Sequence, residues 1–134
     1  MNPKDSIFMK ILNGDIPCHK VYEDNNALAF LDVYPHAKGH TLVIPKQPVY
    51  TFDELTNVEG LFKAVQTTMN ILKKTLKCDG FNVGWNNGKV AGQAVPYMHV
   101  HIMPRYEDDN GGSMHTIINN PGPDKVDDIA TLFQ

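Results

Sequence analysis

Residues 93–105 read QAVPYMHVHIMPR. Side chains along a β-strand point to opposite faces in turn, so Tyr97, His99, His101 and Met103 would share one face. The opposite face would be apolar, since it carries Met98, Val100 and Ile102. The spacing therefore predicts a half-buried strand over 98–103 that presents two imidazoles side by side and packs its other face on a helix.

Four more strands are predicted around this one, from short runs of apolar, β-branched and aromatic residues. They span His19–Glu23, Ala27–Val33, His40–Pro45 and Phe81–Trp85. Turns at 24–26 and 35–39 connect the first three, and such short links favour antiparallel pairing because a parallel crossover needs a dozen or more residues.

One long helix and one or two short helices complete the prediction. Thr56 and Glu59 match a capping box, and apolar residues then recur with a 3.6-residue period until Asp79-Gly80. A shorter helix begins at Ser6 or Asp5 and ends at Gly14, and a last one is predicted over 124–133. The sum is an α+β domain in which the long helix covers one face of an antiparallel sheet.

The composition of the chain excludes some classes of partner and favours one location. The 134 residues include 12 Lys and Arg against 15 Asp and Glu, a formal net charge of −3, so no nucleic acid or anionic membrane surface is expected as a partner. Two isolated cysteines form no disulfide framework. The first residues lack the apolar core of a signal peptide, so a cytoplasmic protein is expected.

The paired imidazoles suit two kinds of chemistry. A neutral histidine can attack phosphorus when a carbonyl holds the proton of its other ring nitrogen. The same pair could ligate a metal if one or two further donors lie nearby. On spacing alone, two half-buried structural histidines are an equally good interpretation. The glycine-containing loop before the strand can bring backbone amides close to an anion.

Three separated motifs now point to a family. The segments ILNGDIPCHKVYED (11–24), LAFLDVYPHAKGHTLVIPK (28–46) and FNVGWNNGKVAGQAVPYMHVHIMPR (81–105) resemble, in the same order, the histidine triad (HIT) family of nucleotide hydrolases and transferases, in its small bacterial branch. The resemblance covers about residues 6–105. It implies a single HIT domain over 1–134, with a variable segment at 106–134, and a homodimer.

The resemblance also implies residue roles. His99 would attack the α-phosphorus of a purine nucleotide and form a transient nucleotidyl-histidine, while His101 would bind a non-bridging oxygen. The resemblance further implies contacts of Gln93 with the phosphate, of Asp32 with the ribose, and of Phe30 and Val33 with the purine. Asn86 would line the same pocket, and His40 would have a supporting role. Each has a plainer alternative: Asp32 as a turn former, Phe30 and Val33 as core, and Gln93 and Asn86 as loop residues.

Two positions depart from the family pattern. Tyr97 stands where the first histidine of the triad is expected, and Ala94 where several members place a Ser or Thr that protonates the leaving group. Ser6, Met9, Pro48 and Tyr97 occupy the positions that bind a structural zinc in some relatives. None is a usual zinc ligand, so we expect no metal and no cofactor.

Three functions remain open at this point. The first is a hydrolase or transferase that cleaves phosphoramidate, acyl or dinucleotide derivatives of a purine nucleoside monophosphate. The second is a purine-nucleotide-binding protein with little or no turnover, which Tyr97 and Ala94 would favour. The third is metal-dependent hydrolysis through His99, His101 and a carboxylate.

Overall fold

The computed structural model describes residues 2–134. Three α-helices, α1 to α3, span Ile7–Leu12, Val58–Leu76 and Val126–Thr131. Five strands, β1 to β5, span Lys20–Glu23, Ala27–Leu31, Thr41–Pro45, Gly80–Gly84 and Val100–Arg105. Single turns of 3₁₀-helix lie at Pro3–Asp5, Phe52–Glu54, Lys89–Ala91 and Met114–Thr116.

The strands form one antiparallel sheet in the order β1-β2-β3-β5-β4, which confirms the predicted α+β architecture. β5 therefore lies between β3 and β4. His101 in β5 is opposite Leu42 on one side and Gly84 on the other. This register places the histidine-bearing strand inside the sheet, where both neighbours fix its position.

Each face of the sheet is covered by a different helix. On one face, Val43, Val100 and Ile102 pack against Leu61 and Leu72 of α2. On the other face, Phe8 of α1 packs in a second apolar cluster with Leu28, Phe30, Leu42, Ile44 and Tyr97. Burying each such side chain stabilises the fold by about 1.5–3 kcal/mol. The predicted alternation along 97–102 is confirmed, because Met98, Val100 and Ile102 lie in the first cluster and Tyr97 in the second.

The predicted cap of the long helix was wrong. Asn57 caps α2, and its Oδ1 accepts a hydrogen bond from the Gly60 amide at 3.0 Å. Thr56 instead contacts Gln47, whose Oε1 accepts from the Thr56 amide at 3.1 Å and from its hydroxyl at 3.0 Å. The helix also ends earlier than predicted, at Leu76, because Lys77 adopts a left-handed conformation with φ 55°.

Several other boundaries differ by a few residues. β2 ends at Leu31 because the Asp32 amide already bonds to the His40 carbonyl across the turn. β5 begins at Val100 because the Met98 amide donates to Val49 in a loop. The start of α1 was predicted correctly, since Ser6 Oγ accepts from the Met9 amide. None of the helices within residues 2–134 has the length and hydropathy of a bilayer span.

Candidate active site

His99 lies just before β5 and is held by the main chain of the residue two positions earlier. Its Nδ1 lies 2.7 Å from the Tyr97 carbonyl oxygen. A carbonyl oxygen only accepts hydrogen bonds, so Nδ1 carries the ring proton and Nε2 keeps its lone pair. The Phe8 ring lies edge-on to the imidazole, with ring centroids 5.0 Å apart. His99 thus has a fixed orientation and a bare ring nitrogen.

That bare nitrogen is still accessible although the residue is 7% exposed. No buried side-chain nitrogen or oxygen in the described chain lacks a hydrogen-bond partner, and His99 Nε2 has none. The Nε2 atom must therefore be in contact with solvent. Burial lowers the pKa of His99, which keeps the ring neutral and its lone pair free at neutral pH.

His101 lies beside His99 and belongs to a cluster with His40 and Asp32. The rings of His99 and His101 have centroids 5.0 Å apart. His101 Nδ1 lies 2.9 Å from His40 Nε2, and His40 Nε2 lies 3.6 Å from Asp32 Oδ2. Together these three residues form a group of potential metal ligands within residues 2–134.

Burial and the neighbouring imidazoles of His99 and His40 lower the pKa of His101 to about 4. The ring is therefore neutral at neutral pH and carries one N–H group and no positive charge. Its Nε2 has no partner in the described chain, so by the same reasoning it opens to the site.

Gln93 fixes the loop that precedes the histidines. Its Oε1 accepts from the Gly88 amide at 2.8 Å, and its Nε2 donates to the carbonyls of Tyr50 and Val95 at 2.8 and 3.1 Å. Gly92 in this loop has φ 99°, a conformation that favours glycine. The Gln93 amide is thus fully engaged with the main chain in this structure, while its contact with a phosphate stays a prediction.

A cavity of about 810 Å³ extends from His101 along β5. His40, Asp32 and Asn86 line it, as do Trp85 and Met103. Residues 111–117 form its outer wall. The structure therefore brings His101, His40, Asp32 and Asn86 to one cavity, as predicted for a binding site, and leaves Ala94 exposed in the adjoining loop.

The residues predicted to contact the purine and the ribose do not all lie at the cavity. Phe30 is only 4% exposed and its ring packs edge-on against Phe8, whereas Val33 is 72% exposed. Neither lines the cavity. Asp32 Oδ1 accepts from the Tyr34 amide at 2.9 Å, which is the turn role considered above, while Oδ2 remains near His40. Purine and ribose binding by these residues stay predictions.

Three of the four positions compared with zinc ligands, all except Pro48, have other contacts. Ser6 caps α1, Met9 packs on the second apolar cluster, and the buried Tyr97 hydroxyl donates to the Pro45 carbonyl. Tyr97 thus has the packed, satisfied role expected of a strand aromatic. The absence of bound zinc stays a prediction.

Sequence reasoning missed two contributors to the site. Phe8 lies in the predicted first helix, and no local pattern in the sequence signals that it covers His99. Arg105 was read only as the end of a motif, yet its guanidinium bonds to Asp109, Asn82 and Gly112 and so holds the outer wall of the cavity.

The fold and the site define a class of protein: an α+β domain in which His101 lines an open cavity, while the adjacent His99 does not line it and keeps an Nε2 without a partner among residues 2–134. The HIT domain model matches residues 13–108. An uncharacterised HIT-like protein of Methanocaldococcus jannaschii is 53% identical over 105 residues, which cover 77% of this chain and 81% of that protein. The adenosine 5'-monophosphoramidase of Schizosaccharomyces pombe is 41% identical over 108 residues, 78% of this chain and 77% of that protein.

A crystal structure of a HIT family member from Bacillus subtilis superposes with a TM-score of 0.78 at 36% identity, and the match covers 96% of this chain and 94% of that one. The chain belongs to the HIT domain family. The predicted family and fold are therefore confirmed.

Proposed function

We propose that the protein cleaves derivatives of a purine nucleoside monophosphate at the α-phosphorus through a covalent bond to His99. The observation that carries this proposal is the 2.7 Å contact between His99 Nδ1 and the Tyr97 carbonyl, which leaves Nε2 as the free nucleophile. The similarity to an adenosine 5'-monophosphoramidase supports the choice of substrate.

The reaction proceeds in two displacements. His99 Nε2 forms a bond to phosphorus as the bond to the leaving group breaks, and the leaving group departs with the electron pair and takes a proton from water. A second water molecule then attacks phosphorus, loses a proton to solvent, and displaces His99 Nε2. The products are the nucleoside monophosphate and the free leaving group, and the histidine returns to its neutral state.

Neighbouring groups hold the phosphate during both steps. His101 Nε2 opens to the site and binds a non-bridging oxygen. Asn86 lines the cavity beside His101. Gln93 would contact the same phosphate, as the family resemblance implies. Asp32 would bind the ribose, with Phe30 and Val33 against the purine, as the family resemblance implies.

A second candidate is a purine-nucleotide-binding protein with little or no turnover. The observation that favours it is Ala94, which has no proton to give to a leaving group, in a loop where the Gln93 amide is already fully bonded. Binding would then use the same cavity, while departure of an amine would be slow.

The test is release of AMP from adenosine 5'-phosphoramidate by the wild-type protein and by His99→Asn. We expect the variant to lose several orders of magnitude in rate, because no other group can form the covalent intermediate. His19→Asn, at an exposed histidine, is the matched control and should react like wild type. Equal rates in wild type and His99→Asn would rule out the mechanism, and AMP binding without any turnover would favour the second candidate.

We also propose that the protein acts as a homodimer. β4 is an edge strand, and beside it Phe52, Phe62 and Trp85 stack in a partly exposed group on the α2 side. An edge strand next to exposed aromatic rings is a surface suited to a second copy of the chain. Sedimentation of the purified protein at the mass of two chains is the expected result.

A further inference from the structure

In the turn before β3, a backbone amide donates a hydrogen bond to the ring of a buried histidine. The His36 amide donates to His40 Nδ1 at 3.1 Å. The turn is rigid, because the His40 amide bonds to the Ala37 carbonyl and the Thr41 hydroxyl bonds to the Gly39 carbonyl. Gly39 has φ +87° and a Cβ there would collide with Leu76 of α2, so no other residue fits easily. The donor that faces His40 is thus fixed by the main chain.

A single fixed donor determines the protons on two rings. A neutral imidazole has one N–H and one lone pair, so the nitrogen that accepts from His36 leaves the proton of His40 on Nε2. His40 Nε2 lies 2.9 Å from His101 Nδ1, which must then accept. The proton of a neutral His101 is consequently on its Nε2, the nitrogen that opens to the cavity.

We propose that the His36 amide, acting through His40, locks His101 in the tautomer with its proton on Nε2. His40 is then a positioning residue. His99 is held in the opposite tautomer by the Tyr97 carbonyl, so the two adjacent rings present a lone pair and an N–H respectively. One attacks phosphorus and the other donates a hydrogen bond to the phosphoryl oxygen while both rings are neutral. The tautomer is independent of the proposed function, while the contact with phosphate rests on it.

The surroundings of His40 support a neutral ring. The residue is 2% exposed, and burial lowers its pKa. A second proton on His40 would sit on Nδ1 and face the His36 N–H, so that two donors would oppose each other. Asp32 Oδ2, 3.6 Å from His40 Nε2, also favours the proton on that nitrogen.

The same arrangement opposes metal binding by Asp32, His40 and His101. A histidine that ligates a metal through one nitrogen almost always donates a proton from the other. His40 would have to ligate through Nε2 and carry a proton on Nδ1, where the His36 amide already donates. The cluster therefore holds a proton where a metal site would need a lone pair, although its ligand atoms are close together.

Ring ¹⁵N spectra of histidine-labelled protein at neutral pH test the lock without any substrate. In the wild type we expect a protonated Nε2 and a bare Nδ1 on His101. His40→Gln and His40→Met are a matched pair of similar size, of which only Gln can donate to His101 Nδ1. We expect His40→Gln to keep the wild-type pattern of His101 and His40→Met to give a mixture of tautomers.

A bare Nε2 on His101 in the wild type would overturn the proposal, and so would an unchanged His101 pattern in His40→Met. Zn²⁺ binding to the wild type that His40→Met abolishes would overturn it as well. If the nucleotide hydrolysis is also found, we expect His40→Met to lower kcat by up to about 100-fold, the effect of losing one preorganised donor, with substantial rescue in His40→Gln. Failure to detect hydrolysis would leave the spectra decisive on their own.

Discussion

The two ends of β5 are held in contrasting ways. At the upstream end, Tyr97 and His99 are buried, and main-chain carbonyls bind both of their polar side-chain groups. At the downstream end, the partly exposed Arg105–Asp109 pair holds a segment whose apolar residues are largely exposed. The first arrangement depends on backbone geometry, which many side chains can satisfy, and the second on one particular pair of side chains. A tyrosine at the first triad position is therefore compatible with the fixed orientation of His99.

The largest expected effect is a loss of stability at acidic pH, which arises from the histidines His40, His99 and His101. The pKa of His101 falls to about 4 in the folded protein, and those of His40 and His99 are also lowered. The unfolded chain takes up these protons as the pH falls through about 6.5, before the folded chain does. The free energy of unfolding should therefore decrease from pH 6.5 downwards, by up to ~1.4 kcal/mol per pH unit for each proton.

Urea unfolding between pH 7 and 4.5 measures this dependence. The carboxyl group of Glu23, whose pKa is lowered to about 2 by Lys20 and Lys46, loses its contribution only below about pH 4.5, so the window reports histidines. His101→Gln should reduce the slope by up to one proton. The same slope in the variant and in the wild type would mean that His101 does not titrate as described.

Most of the fold was predictable because its signals are local. The alternation in 97–102 and the apolar period of α2 each occur within one element, and both were confirmed. The N-cap of α2 was missed because Thr56 and Asn57 are adjacent and both are good caps, and it is Asn57 that accepts from the Gly60 amide. A local pattern does not decide between two adjacent cap residues.

The site was predictable only in part, for a similar reason. His99 and His101 follow from one strand and its family motif. The partners that set their protonation are main-chain groups of Tyr97 and His36, which any residue would provide, so no side chain marks them. The same applies to Gln93, whose side chain was expected at a phosphate and is bonded to three backbone groups.

A smaller effect is expected for Tyr97→Phe, which tests the hydrogen bond at the upstream end of β5. The change removes a buried hydroxyl that donates to the Pro45 carbonyl and leaves that oxygen without its partner. We expect a loss of about 1–3 kcal/mol in the free energy of unfolding, measured by urea titration at pH 7. Nucleotide turnover should persist, because His99 is bonded to the Tyr97 carbonyl and not to its ring.

Tyr97→His is to be compared with Tyr97→Phe, because it restores the first histidine of the triad pattern. Imidazole is shorter than phenol, so it should not reach Pro45 and should destabilise the protein at least as much as Phe does. A gain in turnover for Tyr97→His, together with loss of turnover in Tyr97→Phe, would show that the side chain at this position takes part in the reaction.

The smallest effect on global stability is expected at the downstream end of β5. Arg105 donates from Nε and Nη2 to the two oxygens of Asp109 at 2.8 Å, and its guanidinium holds the pKa of that carboxyl well below the usual value. Both side chains are partly exposed, at 27% and 24%, so water replaces much of the lost contact and the unfolding midpoint should move little in Asp109→Asn. The local structure should change much more, because Arg105 also holds the Gly112 carbonyl and so the outer wall of the cavity.

Trypsin needs a free arginine side chain, and it should therefore cut after Arg105 several times faster in Asp109→Asn than in the wild type. Asp108→Asn, at a neighbouring carboxylate that makes no hydrogen bond among residues 2–134, is the control and should be cut at the wild-type rate. If Asp109→Asn is cut no faster than Asp108→Asn, contacts other than the Arg105–Asp109 pair hold the segment after Arg105. The contrast between the two ends of β5 is then wrong.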